Sequence, residues 1–185
     1  MTDTQWPRWL VFEQSSEKSH HTIAGSVHAP DAELALLNAR DVFVRRPQVI
    51  SLWLVRADRI YSKTAEEMAN NPDWASDAEP GETETYLVFQ KLGHRGKHTH
   101  AGEVTASSPP AAVSAALEAL PGSGRQEPVV WWVVPDRLVY RSTEADIAEM
   151  FEIAHSKAPI RDQGFFLTKL KLRQGIDEYD EDDHE

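Results

Sequence analysis

From residue 9 onward, short apolar runs alternate with polar breaks, and the spacing inside each run predicts its element. Residues 9–14 (Trp-Leu-Val-Phe-Glu-Gln) are aromatic and β-branched and predict a first strand. A polar turn at 15–19 leads to a second strand at 20–28, and so short a link makes the pair a hairpin. Residues 31–45 switch to the helical period. Ala32, Ala35, Leu36, Ala39 and Phe43 fall on one face, and Asp31, Leu34, Asn38 and Asp41 on the other. Pro30 suits the first turn of that helix and Pro47 stops it. Residues 49–56 are almost continuously apolar, as a central strand is. A short strand at 59–62 follows. Thr64 and Glu67 then form a capping-box pattern that opens a helix to about Asn70.

Residues 71–84 are rich in Pro, Gly and acid and read as a linker, with Trp74 as an anchor onto a nearby core. After it the pattern begins again. Tyr86-Leu-Val-Phe-Gln repeats Trp9-Leu-Val-Phe-Glu 77 positions later. At that offset His21 meets His98, Gly25 meets Gly102, and Ala35, Leu36, Ala39 and Phe43 meet Ala112, Val113, Ala116 and Leu120. Ser108 caps the second helix ahead of Pro109 and Pro110. The apolar strand recurs at 129–134, where Trp53 meets Trp132 at an offset of 79. Asp58-Arg59 is echoed by Asp136-Arg137, and Thr64 by Thr143. The predicted fold is therefore α+β, a tandem duplication of a ββαβ(β)α unit with antiparallel sheets packed by helices. Its parts are 1–70, a linker at 71–84, a diverged second copy at 85–155, an extended arm at 156–176 and an acidic tail at 177–185. Ile147, Met150, Phe151 and Ala154 stripe the last helix.

The chain has 185 residues, 41% hydrophobic and 26% charged, which is enough to bury a core. Its net charge is −11, with seven acids and no Lys or Arg from Asp177 onward. Such a balance argues against a nucleic-acid phosphate backbone as partner. There is no cysteine, which excludes thiolate catalysis and Cys-ligated clusters. No signal-peptide pattern and no run of ~20 apolar residues occurs, so the expectation is a soluble, cytoplasmic protein without a membrane span.

Candidate chemistry is sparse. His98 and His100 share a strand face, but no third ligand is evident and the spacing is no known zinc pattern. Glu152 and His155 make one helical Glu-x-x-His pair where a di-iron bundle needs two. No nucleophile elbow or phosphate loop is present. Trp53 and Trp132 read as core. Trp131, on the opposite face from Trp132, reads either as covered by a helix or as an exposed binding anchor. Arg40, Arg45 and Arg46 read as a solvated helix face or as ion-pair partners across an interface. No cofactor site is expected.

Five blocks then carry a resemblance: Trp6-Pro7, Gly25-Ser-Val-His-Ala29, Ala35-Leu-Leu-Asn-Ala-Arg-Asp41, Arg45-Arg46 and Ser51-Leu-Trp-Leu-Val55. In order and spacing they resemble the B subunit of the bacterial ring-1,2-phenylacetyl-CoA epoxidases. The resemblance covers about residues 6–67 and, through the repeat, weakly 85–150. It implies a non-catalytic, cofactor-free bridging subunit that holds a di-iron A subunit and a ferritin-like C subunit in a multicomponent monooxygenase of phenylacetate catabolism. Together with the repeat it points to partner contacts at His28, Asn38, Arg40, Asp41, Arg45 and Arg46, and Trp131 joins them as the candidate exposed anchor. The second copy loses the signature: His28 becomes Thr105, and Asn38-Ala-Arg-Asp becomes Ala115-Ala-Leu-Glu. The chain thus reads as a fused pseudo-dimer whose first copy keeps the contacts. The competing expectation is a small duplicated α+β-barrel enzyme or a ligand-binding module, with a pocket lined by His21, His98 and Trp side chains.

Overall fold

The computed structural model describes residues 5–44, 49–76, 81–120, 122 and 127–151. Arg45, Arg46, Pro47, Glu152, Ala154, His155, the 156–176 arm and the acidic tail lie outside the described residues.

β1 (Arg8–Gln14) pairs antiparallel with β2 (Thr22–His28) on one side and β3 (Ser51–Arg56) on the other. β5 (Glu84–Leu92) lies in the same way between β6 (His98–Ala106) and β7 (Pro128–Pro135). The register slips between Val11 and Phe12 in the first set and between Val88 and Phe89 in the second. Phe12 faces Trp53 across the ladder, and Phe89 faces Trp132.

Two short strands cross between the sets. After a 3₁₀ turn at Ala57–Arg59, β4 (Tyr61–Thr64) pairs with β7; after a turn at Asp136–Leu138, β8 (Tyr140–Arg141) pairs with β3. The result is one open antiparallel sheet in the order β4-β7-β5-β6-β2-β1-β3-β8. Its middle is thin. β2 and β6 share a single residue pair, Thr22 with Thr99, whose hydroxyls lie 3.2 Å apart, plus the His100 N–H donating to the His21 carbonyl at 2.8 Å.

Alternation along each strand sorts side chains into three cores. Trp9, Val11, Leu52 and Leu54 pack under α1 (Ala32–Phe43). Tyr86, Val88, Trp131 and Val133 pack under α3 (Pro109–Ala119). The opposite faces, Leu10, Phe12 and Val55 with Leu87, Phe89 and Val134, meet in a third core between them. There the Phe12 and Phe89 rings stack at 4.1 Å. β1 and β5 are buried on both faces, which is why they read as near-continuous apolar runs.

Helix ends follow local chemistry. Asp31 is the N-cap of α1 and accepts from the Leu34 N–H at 2.8 Å, so Pro30 precedes the cap instead of occupying the first turn. Leu34 packs against the first core, which corrects its assignment to the outer face and widens the apolar stripe. Ser108 caps α3 as expected. Thr64 and Thr143 complete capping boxes with Glu67 and Asp146, opening α2 (Ala65–Asn70) and α4 (Glu144–Asp146). α4 runs on as a π-helical turn at Ile147–Phe151. These last helices cross over with their strands: Met68 and Trp74 pack on the core under α3, and Ile147 and Phe151 on the core under α1. Both main helices end over a glycine. A Cβ on Gly25 would come within 2.7 Å of the Phe43 ring, and one on Gly102 within 2.9 Å of Leu120.

Candidate interaction face

β2 delivers His28 to the surface at its last residue, exposed. Its carbonyl accepts from Asn38 Nδ2 at 3.2 Å, so Asn38 ties the strand end to the middle of α1. Two residues on, Arg40 gives both Nε (2.9 Å) and Nη2 (2.7 Å) to one Asp41 carboxylate oxygen. The pair lies at the surface, Asp41 more open than Arg40, where an ion pair contributes at most about 1 kcal/mol to folding. Leu37 and Val42 on the same helix are exposed, Val42 by 62%. His28, Asn38, Arg40 and Asp41 thus stand at or near the surface, and of these four Asn38 is the one whose hydrogen bond ties two elements of the fold together.

Next to His28 the surface hollows into two clefts that share Arg56. One, of about 540 Å³, is lined by residues 5–8, His28 and residues 56–58. The other, of about 480 Å³, is lined by Trp9, Ala32, Arg56, Arg59 and residues 137–140. Arg56 grips Asp58 through Nε (3.0 Å) and Nη2 (2.7 Å), and this contact holds the Asp58 carboxyl below the usual carboxylate range. Arg137 reaches Glu84 at 2.8 Å. Arg8 and Arg59 are exposed and make no ion pair among the described residues. At the rim Trp6 is 56% exposed.

The histidines predicted to share a strand face lie elsewhere, in the central core. His21 stacks on Trp53 with ring centres 3.6 Å apart, and His98 stacks on Trp132 at 3.4 Å. His100 meets Trp53 edge-on at 5.0 Å. His21 Nε2 pairs with the Ser51 hydroxyl at 3.0 Å, whereas Nε2 of His98 and of His100 are buried without a partner. Burial pushes all three imidazoles down, His21 to about 3 and His98 and His100 to about 4. Neighbouring basic groups add to this: His100, Arg141 and His20 beside His21, Lys91 beside His98, and His20 and Arg141 beside His100. Among the described residues no three His, Asp or Glu side chains converge as metal ligands. His21 and His98 are stacked face to face and His100 edge-on, all three as packed rings that are neutral at ordinary pH.

Trp131 is not an exposed anchor. It is 6% exposed and lies under α3, the covered alternative, because the face it takes is the one that α3 needs. Trp132 takes the central face and is half-buried against His98. Arg8, Arg56, Arg59 and Arg137 went unread in the sequence. Their one signal is the Asp-Arg dipeptide at 58–59, repeated at 136–137, whose two arginines line the second cleft. No described helix is long and apolar enough to cross a membrane.

The comparisons with known proteins fall on this same half. A family model described as Phenylacetic acid degradation B matches residues 5–79. The B subunit of the 1,2-phenylacetyl-CoA epoxidase of Escherichia coli (strain K12) is 39% identical over 67 residues, which are 36% of this chain and 70% of that protein. No solved structure matches significantly. The matched span holds the Trp6-Pro7, His28, Asn38-Ala-Arg-Asp41 and Trp53 blocks. The chain therefore belongs to the Phenylacetic acid degradation B family.

Proposed function

We propose that this chain is an accessory, non-catalytic subunit of a phenylacetyl-CoA epoxidase, a multicomponent di-iron monooxygenase of phenylacetate breakdown. Its task is to bridge the di-iron A subunit and the ferritin-like C subunit. The carrying observation is the 39% identity to the B subunit of such an epoxidase, beside a family match over residues 5–79 that holds the signature blocks. The geometry is consistent with a bridge: His28 and Asp41 stand at the surface with Arg40 half-open beside them, and His21, His98 and His100 are packed as core.

The chain is read further as a fused pseudo-dimer. The matched relative aligns over 67 residues that make up 70% of its length, so it has room for one unit. Here two units occur, and four structural pairs recur at the sequence offset. They are the slips at Val11 and Val88, the ring pair Phe12 and Phe89, the axial pair Thr22 and Thr99, and the glycines under Phe43 and Leu120. The exchange of β4 and β8 between halves is what two protomers swapping an edge strand would leave after fusion.

Size-exclusion chromatography of the chain with purified A and C subunits tests the bridge. Co-elution in a complex larger than A with C alone is expected. A chain that always elutes separately ends this reading.

A further inference from the structure

The repeated unit supplies an internal control. Two copies meet the same folding demands, so a residue present in one and lost from the structurally equivalent place in the other is not required by the fold. The core obeys this: Trp9 and Tyr86, Phe12 and Phe89, and Trp53 and Trp132 hold equivalent ladder positions and stay large. The double cleft does not. Arg8 and His28 face each other across β1 and β2, while the equivalent pair across β5 and β6 is Thr85 and Thr105. Arg56 stands opposite Trp9, and Pro135 stands opposite Tyr86. At these positions the first half has basic residues where the second has neutral ones, whereas Arg59 and Arg137 are an equivalent pair kept in both halves.

We propose that this groove, from Trp6 and His28 past Arg56 to Arg59 and Arg137, is the docking site for an acidic segment of a partner subunit. The proposal deepens the bridging reading and rests on it. The two clefts share Arg56, and four guanidiniums line them in a chain of net charge −11; Arg56 and Arg137 are paired with Asp58 and Glu84, which leaves Arg8 and Arg59 as the unpaired charge among the described residues. Arg56 is held in place by Asp58, which occupies its Nε and Nη2 and makes it a fixed wall between the clefts. Arg8 and Arg59 are left to meet incoming carboxylates, and Trp6, 56% exposed, offers an apolar partner at the rim. Trp and Arg are the residue types that dominate interface hot spots. Fixed like-signed charge at such a groove selects an oppositely charged partner and speeds its approach. The partner segment is therefore carboxylate-rich, with an apolar side chain spaced to reach Trp6.

The test is binding of the full-length chain to the A–C pair at two salt concentrations. Arg8→Glu/Arg59→Glu and Trp6→Ala are compared with Thr85→Glu/Thr105→Glu at the equivalent strand pair, and thermal melting confirms that each variant folds. The arginine variant is expected to bind at least about tenfold more weakly, Trp6→Ala to be weakened too, and the threonine variant to bind as wild type. Wild-type affinity should fall as salt is raised. Unchanged binding by the arginine variant overturns the groove. If it stays unchanged while Asn38→Ala or Arg40→Ala prevents assembly, the bridge stands without the groove. A wild-type chain that never associates removes both.

Discussion

The imidazoles of the central core make the chain's stability depend on pH, and the size of the effect follows from their burial. His21, His98 and His100 have folded-state pKa values near 3, 4 and 4 against an ordinary 6.5. A depressed histidine means that the fold accommodates the neutral ring and the unfolded chain takes up the proton first. Stability is therefore complete above pH 6.5 and is lost as pH falls through 6.5 towards 4 and then 3. At pH 5 an ideally sheltered ring of this kind costs about 2 kcal/mol. His21, 6% exposed, carries close to that figure. His98 and His100 are half-buried, and screening by water cuts them to about 1 kcal/mol each. The sum is about 4 kcal/mol, a large part of the roughly 5–15 kcal/mol that a domain of this size holds in reserve. The described carboxylates that are shifted, Asp58 and Glu67, are lowered from ordinary values of 3.8 and 4.5, so what they contribute is lost mainly below pH 5 and leaves the comparison of pH 7 with pH 5 to the histidines. Urea unfolding followed by Trp fluorescence at pH 7 and pH 5 measures the difference directly, since Trp53 and Trp132 lie on the rings concerned. The midpoint should drop at pH 5, and His98→Gln/His100→Gln should remove about half of the drop. Equal midpoints at both pH values, or an undiminished drop in the double variant, would refute the argument.

Other consequences are separable. Phe89→Ala removes one ring of the central stack and should cost about 3–5 kcal/mol, read as a lower urea midpoint. Gly25→Ala places a methyl group within 2.7 Å of the Phe43 ring and should cost about 1–3 kcal/mol. Adding Phe43→Leu should recover part of that loss, so the two changes combine to less than their sum in a double-mutant cycle. Thr64→Ala breaks the capping box of α2 and should cost about 1 kcal/mol by thermal melting, without altering association with partner subunits.

Much of the fold was legible because it rests on local rules. The strands declared themselves by alternation or by continuous apolarity, α1 by its period, and α3 by period and cap. What the sequence hid is pairing between distant segments. β4 and β8 are four and two residues long, and nothing in Tyr-Ser-Lys-Thr or Tyr-Arg says that each closes the other half's sheet. The faces of Trp131 and Trp132 were equally ambiguous, because a strand buried on both sides has no polar side to mark the outside. The signature block around Asn38 and Arg40 was visible as sequence. The Arg56 groove was not, because its walls come from β1, β2, β3 and the turn before β8, brought together only by the crossover.

That crossover has a consequence for how the protein is made. Leu52 hydrogen-bonds through its backbone to Ser142, 90 positions later, and Phe151 fills the core under α1. A ribosome adding about 5–20 residues per second needs on the order of ten seconds to travel from one to the other. Throughout that interval the emerging first half has an open strand edge at β3 and an unfilled core, the kind of surface through which incomplete chains aggregate.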